Sequence, residues 1–340
     1  MKRFLILWIV FLSGAIFSFQ LARAEENIPK MLSIGTHPSG TFVFTQGAAA
    51  AKVITDHAKI RATVKPMSGP VAWFPYMDRG EVDLGILNMW DAEKGYLGES
   101  MYGKLSNEKG FSIRLICPTI TNKIGMVVIK DSSIKNIPDL KGKRVAGNYP
   151  TPSLQLQAEA LLANGNLSWE DIVAVTVNNP GQDTSMLMAG RADCTGSTAL
   201  GQPQIEELNT KKGARFLPLD PSPEATARMR KFFPGFMAKV KPGPGATGIQ
   251  EEQFLWGYDM YLIAGSKLSD EAAYLITKAL WENHKELEAI HKNLVEWESK
   301  RFVSKLATIP YHPGAVRFYK EKGVWDTEME NLQKSLLNKK

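Results

Sequence analysis

Ile137-Pro-Asp-Leu-Lys-Gly-Lys-Arg-Val-Ala-Gly-Asn-Tyr-Pro-Thr-Pro-Ser153 holds a lead-in turn, a short strand over 144–147, and a turn-rich loop that feeds a helix over 153–164. Gly165 is placed to stop that helix. The same order stands far earlier in the chain. A strand over 31–35 runs into Gly35-Thr-His-Pro-Ser-Gly-Thr41, and a helix follows over 40–57, with Phe44, Ala48, Ala51 and Ile54 returning at helical spacing. Two strand–turn–helix openings imply two α/β units, each presenting a loop at the carboxyl end of its strand.

Working outward, short apolar strands alternate with helical patterns, which points to α/β architecture with parallel strands. The first half adds strands over 60–66, 82–87 and 112–118, with helices over 70–79 and 89–97. Pro70 opens the former helix where its missing N–H costs little. After a crossover come strands over 124–130, 173–177, 192–196 and 214–217, with helices over 182–189 and 201–209. The Gly- and Pro-rich run 234–248 reads as irregular chain. A strand over 256–264 then runs back, followed by a helix over 270–283 capped by Ser269 or Asp270, and a mostly helical, polar-faced remainder to Lys340. The expected organisation is lobe 1 over 25–120, lobe 2 over 121–250, and a return to lobe 1 with C-terminal helices over 251–340. Residues 25–340 exceed what one hydrophobic core ordinarily supports.

The N-terminus reads as an address. Lys2 and Arg3 precede an almost wholly apolar run from Phe4 to Phe19. Ala22-Arg23-Ala24 then offers a small-x-small cleavage pattern. That order is the secretory layout, so residues 1–24 are expected to be a cleaved signal peptide and the mature chain periplasmic. Cleavage removes Lys2, Arg3 and Arg23 and lowers the formal charge from +6 to +3. Such a small, scattered excess gives no basis for nucleic-acid binding. The two cysteines, Cys117 and Cys194, allow at most one disulfide in an oxidising compartment.

Five loops after strands are candidates for ligand contact, because open α/β sheets bind ligands beyond the carboxyl ends of their strands. The first offers Ser39, Gly40, Thr41 and Phe42. The second offers Tyr149, Thr151 and Ser153. Two capped helix starts, one per lobe, facing across a cleft would make an anion clamp from free N–H groups. The third is Ser68-Gly69 with Trp73. The fourth is Asn88, Trp90 and Asp91, and the fifth is Gly196, Ser197 and Gln202. Each has a plainer reading: ordinary caps for Thr41, Ser153 and Asp91, and core packing for Trp73 and Trp90. Arg191 and Lys123 are the basic residues considered as partners for an anion.

Several chemistries fail on inspection. Gly243-Pro-Gly-Ala-Thr-Gly248 fits GxGxxG but follows no clear buried strand, so no dinucleotide site is expected. No GxSxG elbow, HExxH or CxxC pattern occurs. The reading is of a binding protein rather than an enzyme, with no cofactor and no metal.

The motifs themselves resemble one family. Ile34-Gly-Thr-His-Pro-Ser-Gly-Thr-Phe-Val-Phe44 is similar to the opening segment of TAXI-type TRAP transporter solute-binding proteins. Gly80-Glu-Val-Asp-Leu-Gly85, Asp139-Leu-Lys-Gly-Lys-Arg-Val145 and Gly190-Arg-Ala-Asp193 resemble further segments of that family. So does Ile309-Pro-Tyr-His-Pro-Gly-Ala-Val-Arg-Phe-Tyr-Lys-Glu321, and the matches fall in order over nearly all the mature chain. The resemblance implies a two-lobed type II periplasmic-binding-protein fold with crossing hinge strands. It also implies capture of a small anionic solute, typically a carboxylate, and delivery to TRAP-type membrane permease subunits driven by an ion gradient. The mechanism would be hinge closure, in which a ligand bridging both lobes favours the closed state. The sequence departs from the family where Pro70 and Trp73 replace a Ser and an Asn, and where Phe42 and Val43 stand for paired Tyr. Val240–Gly245 also lacks a Tyr. These departures imply a less polar pocket, suited to an acid with an apolar or aromatic body against Phe42, Trp73 and Trp90. The competing readings are a type II binding protein serving an ATP-driven transporter or a sensor kinase, and an enzyme on the same fold.

Overall fold

The computed structural model describes residues 28–340. The expected signal peptide, residues 1–24, lies outside them. The chain starts with β1 (Met31–Thr36), α1 (Phe42–Ala58), β2 (Arg61–Pro66), α2 (Pro70–Arg79), β3 (Leu84–Asn88), α3 (Met89–Leu97) and α4 (Met101–Ser106). β1 pairs in parallel with both β2 and β3, which form the sheet of the first lobe. Two glycines let α2 sit tightly on it. The Trp73 indole fills the space over Gly35 and Gly85, and a Cβ added at Gly85 would lie 2.5 Å from the ring.

The crossing strands are longer than the sequence suggests. β4 (Ile113–Gly125) is one 13-residue strand where two separate strands are expected, and β12 (Gln253–Gly265) matches its length. At about 3.3 Å per residue each spans roughly 40 Å. They pair antiparallel from Ile113↔Gly265 to Ile124↔Trp256. Near one end β12 joins β3, and at the other β4 reaches β9 (Thr198–Ala199) and β12 reaches β11 (Phe236–Val240). Pro118 lacks the N–H for a regular ladder. The register slips between Asp259 and Tyr261, opposite Thr121 and Pro118, and the strand continues. Thr119, Thr121 and Asn122 made this segment look like a loop, but all three are buried.

The second lobe runs β5 (Val127–Ile129), β6 (Arg144–Gly147), α5 (Pro152–Asn164), β7 (Val173–Thr176), α6 (Gln182–Met188) and β8 (Cys194–Thr195). After β9 come α7 (Pro203–Lys212), β10 (Ala214–Phe216) and α8 (Pro223–Arg230), the last unread in the sequence. Its sheet has the order β7-β6-β8, all parallel, with β10 and β5 as an antiparallel pair beside it. The run expected to be irregular contains β11, an edge strand held by β12.

The chain returns through α9 (Asp270–Asn283), capped by Ser269. Short turns and α10 (Leu287–Ile290) follow, then α11 (Pro313–Glu321) and α12 (Thr327–Leu337). His312 caps α11 by accepting from Gly314 N at 3.2 Å. A Cβ at Gly314 would lie 2.0 Å from the Asp270 carbonyl oxygen, so glycine is what lets α11 start against α9. The segment His312-Pro-Gly-Ala315 therefore packs the C-terminal helices and touches no cleft. Cys117 and Cys194 are buried free thiols. Among the described residues no helix is long and apolar enough to cross a membrane.

Candidate functional site

Each lobe carries the same staple. A helix ends at a glycine with positive φ, Gly80 at 80° or Gly190 at 70°, and an aspartate stands three residues on. In lobe 1, Asp83 Oδ2 accepts from Ser33 N at 2.8 Å and Ser33 Oγ at 3.0 Å, fixing β3 to β1. In lobe 2, Asp193 Oδ2 accepts from Arg144 N at 2.9 Å, and Oδ1 from the Arg144 guanidinium at 2.6 Å, fixing β8 to β6. Both sheets are thus set with their carboxyl edges toward one cleft.

Both lobes and both crossing strands line this cleft. His37, Thr41, Phe42, Val43, Leu87 and Asn88 come from lobe 1. Asn122, Ile124, Tyr258 and Met260 come from the hinge strands. Tyr149, Leu154, Gln157, Pro180, Gly181, Ser197, Ala199 and Gln202 come from lobe 2.

The two helix starts expected to form a clamp behave differently. In lobe 1, Thr41 caps α1: its Oγ1 accepts from Phe44 N at 3.2 Å and donates to the Pro38 carbonyl at 2.7 Å. The first amides of the helix, those of Phe42 and Val43, have no partner within it, and both residues line the cleft. In lobe 2, Pro152 at the first position of α5 removes one such amide. The side chains on either side close the lobes onto each other. Ser153 Oγ donates to Asp91 Oδ2 at 2.6 Å, and Asn88 Nδ2 bonds both Asp91 at 2.7 Å and Ser153 at 3.2 Å. Thr151 Oγ1 donates to the Ser68 carbonyl at 3.3 Å. Thr151, Ser153 and Asp91 therefore form an interlobe clasp and do not line the cleft. Asp91 also accepts from Tyr102 Oη at 2.7 Å. Its complete burial pushes its carboxyl up to about 6, against the lowering effect of these hydrogen bonds.

The other expected residues divide in the same way. Asn88, Tyr149, Ser197 and Gln202 line the cleft. The Tyr149 hydroxyl is engaged, donating to Asp183 at 2.8 Å and accepting from Ser197 N at 3.0 Å, so the ring is what it offers the cleft. Burial raises the Asp183 carboxyl above its ordinary value. Gly196 lies behind the Tyr149 hydroxyl, where a Cβ would come within 3.0 Å of it and 2.7 Å of the Ala146 carbonyl. Ser39 is exposed, and Gly40 meets α7 through Gln204 N at 3.4 Å. Gly69, at φ 134°, leaves room for His37 and Thr151. Trp73 is wholly buried and is corrected to a core residue, because two glycine surfaces and Phe74 enclose its ring. Trp90 packs on Phe233, its ring centre 6.3 Å away, and also stands off the cleft. Neither basic candidate lines it: Arg191 is exposed, and Lys123 pairs with Glu296 at 2.6 Å beside a neighbouring cavity that Phe42 also lines.

Sequence reasoning missed His37, Asn122, Gln157 and Tyr258. His37 lies inside the quoted first loop and needed only attention to burial. Burial pushes its imidazole down to about 4, so it is neutral at neutral pH. The other three sit within a strand or helix, where no loop signal marks them. The cleft lining thus contains no Lys or Arg. Among the described residues, no cluster of three or more His, Cys, Asp or Glu is placed to hold a metal ion.

A family model described as the NMT1-like family matches residues 34–323. Solved structures similar to this chain include the alkanesulfonate-binding protein SsuA from Xanthomonas axonopodis pv. citri bound to MOPS. It is 12% identical, covers 88% of this chain and 96% of that one, and has a TM-score of 0.46. The aliphatic sulphonate binding protein SsuA from Escherichia coli is 13% identical over 90% and 92% of the two chains, with a TM-score of 0.44. The periplasmic VFT2 domain of Bordetella pertussis BvgS is 13% identical over 81% and 97%, with a TM-score of 0.47.

Proposed function

The chain belongs to the NMT1-like family, and from that premise we propose that it is a periplasmic solute-binding protein that captures a small organic anion and passes it to a membrane transporter. The observation that carries this reading is the cleft: it is walled by two lobes, floored by the strands that connect them, and shut by bonds between the lobes. A ligand that touches both walls binds the closed form better than the open one, and so shifts the population toward closure. The transporter then meets a closed, loaded shape distinct from the empty one.

The anionic group goes to the start of α1. Two unpaired amides on a 17-residue helix attract negative charge without any cationic side chain. The solute body packs on Phe42, Val43, Leu87, Ile124, Leu154 and Met260, which gives the cleft an apolar wall without the two tryptophans. The partner is a TRAP-type permease. That part rests on the motif resemblance, as the periplasmic address rests on the layout of residues 1–24. Export and capture fit binding rather than turnover.

The test is thermal unfolding of the purified protein, unfolded and refolded to strip any bound solute, against small carboxylates, sulfonates, amino acids and neutral solutes. Binding to the folded state alone raises the melting temperature. An upward shift with one class of organic acid is expected. A shift with neutral solutes and none with acids would remove the anion from this reading.

A further inference from the structure

Two buried amides at the hinge end of the cleft have one end each without a partner. Asn122 on β4 donates through Nδ2 to the Tyr258 hydroxyl at 2.8 Å, while its Oδ1 bonds nothing. Gln157 on α5 accepts from Ser197 Oγ at 3.1 Å through Oε1, while its Nε2 faces the same Tyr258 hydroxyl without a well-formed bond. The two residues are 4% and 1% exposed, and both line the cleft. Turning the Asn122 amide over exchanges which end is open but still leaves one open end. Leaving a buried polar atom unmet is costly, and on a cavity wall a bound solute can supply the missing bond.

The charges around the cleft restrict what that is. No Lys or Arg lines it. Its nearest carboxylates, Asp91 and Asp183, are buried behind Asn88, Ser153 and Tyr149. No cationic side chain lines the cleft beside the two amides, so a neutral donor or acceptor suits them better than a second negative charge. An open helix start lies at α1, whereas the start of α5 is committed to the clasp.

We infer that the solute is a monoanionic acid carrying a neutral hydrogen-bonding group, a hydroxyl, carbonyl or amide, that lodges between Asn122 and Gln157. This rests on the solute-binding reading above and names the chemistry of the part of the solute that is not the acid. A site built to bond a polar group rejects the analogue that lacks it far more strongly than an apolar pocket rejects a methylene.

Isothermal titration with matched acids that differ by one hydroxyl tests it: lactate with propionate, 3-hydroxybutyrate with butyrate, and 4-hydroxybenzoate with benzoate. Succinate serves as the dianion. The expected result is that the hydroxy acid of at least one pair binds about 100-fold more tightly than its parent, and that succinate binds more weakly than that hydroxy acid. Gln157→Met and Asn122→Leu should bring its affinity down to that of the parent. Parent acids that bind as tightly as their hydroxy partners overturn the inference and leave the solute-binding function standing. A panel in which only neutral solutes bind overturns the acid in both. One readout needs no ligand. If the open amides serve the solute, the ligand-free Gln157→Met variant melts within about 2 °C of wild type. A fall of more than about 5 °C in both variants assigns the amides to packing and overturns the inference without reference to any ligand.

Discussion

Gly35–Thr41 and Gly147–Ser153 occupy matching places in the two lobes, each between the first strand of a parallel sheet and the helix that follows. The sequence gives them one reading, and the structure gives them two jobs. The lobe 1 loop caps α1 with Thr41 and leaves the amides of Phe42 and Val43 toward the cleft. The lobe 2 loop puts Pro152 where an amide would stand and spends Thr151 and Ser153 on the opposite lobe. Behind both loops the staples, Gly80 with Asp83 and Gly190 with Asp193, are alike. The architecture is duplicated where it holds strands together and diverges where it faces the ligand. A two-lobed binder needs one side to hold the solute and something to register closure, and nothing requires both lobes to do both.

The largest expected effect tests the clasp by pH. Asp91 has a folded-state value near 6, above its ordinary 3.8. Between about pH 4 and 6 the folded protein therefore holds more protons than the unfolded chain. The Asp91 contribution to stability is fully present below about pH 4, falls as pH rises to about 6, and is flat above. Its ceiling is about 3 kcal/mol, set by two pKa units. Surface carboxylates paired with Lys and Arg act in the opposite sense, so the quantity to measure is the difference between wild type and Asp91→Asn in urea unfolding across pH 4–8. A difference that does not change over pH 4–6 would falsify the clasp as a buried, proton-sensitive contact.

Next in size is the comparison of the staples. Asp83→Ala leaves Ser33 N without its acceptor inside the sheet and should cost about 1–3 kcal/mol. Asp193→Ala removes bonds that lie nearer solvent. It should cost less, about 1 kcal/mol, because an exposed ion pair contributes little. Equal losses of melting temperature in the two variants would count against this ranking.

The loops themselves come third. Phe42→Pro gives lobe 1 the chemistry of lobe 2, with Pro at the first helical position and one amide gone, in a place where Pro is well tolerated. Solute affinity, by titration, should fall about 10- to 100-fold relative to Phe42→Ala, which loses the same buried ring and its stability but keeps the amide. Wild-type affinity in that variant moves the anion away from α1. The smallest effect is the reciprocal change. Pro152→Ala restores an amide to α5 and should alter affinity by less than about twofold, because that helix start faces the clasp. A gain of tenfold would make α5 part of the site after all.

Much of the fold was legible in the chain. The parallel strands, the positions of α2, α3 and α9, and the two matching loops follow from apolar periodicity and from Gly and Pro placement. The crossing strands were harder. Thr119, Thr121 and Asn122 fall between the two expected strands, yet β12 pairs with Thr121 and Asn122 and all three are buried. Of the site, Thr41, Phe42, Asn88, Tyr149, Ser197 and Gln202 were legible because they stand in loops after strands. Trp73 misled, since an aromatic beside a candidate loop gives no sign of whether its ring turns toward the cleft or the sheet. Here Gly35 and Gly85 open the sheet face to it.

The sequence by itself determined the two-lobed α/β order and the loops that face the cleft. These rest on local periodicity and on glycine and proline placement. Only the tertiary structure decided which helix start is open, which is clasped, and that Asn122, Gln157, His37 and Tyr258 belong to the cleft. Those roles depend on contacts between residues far apart in the chain, such as Ser153 with Asp91 or Asn122 with Tyr258, and on burial that turns a charged or polar side chain into a neutral or unmet one. Neither property is carried by a residue's neighbours in sequence.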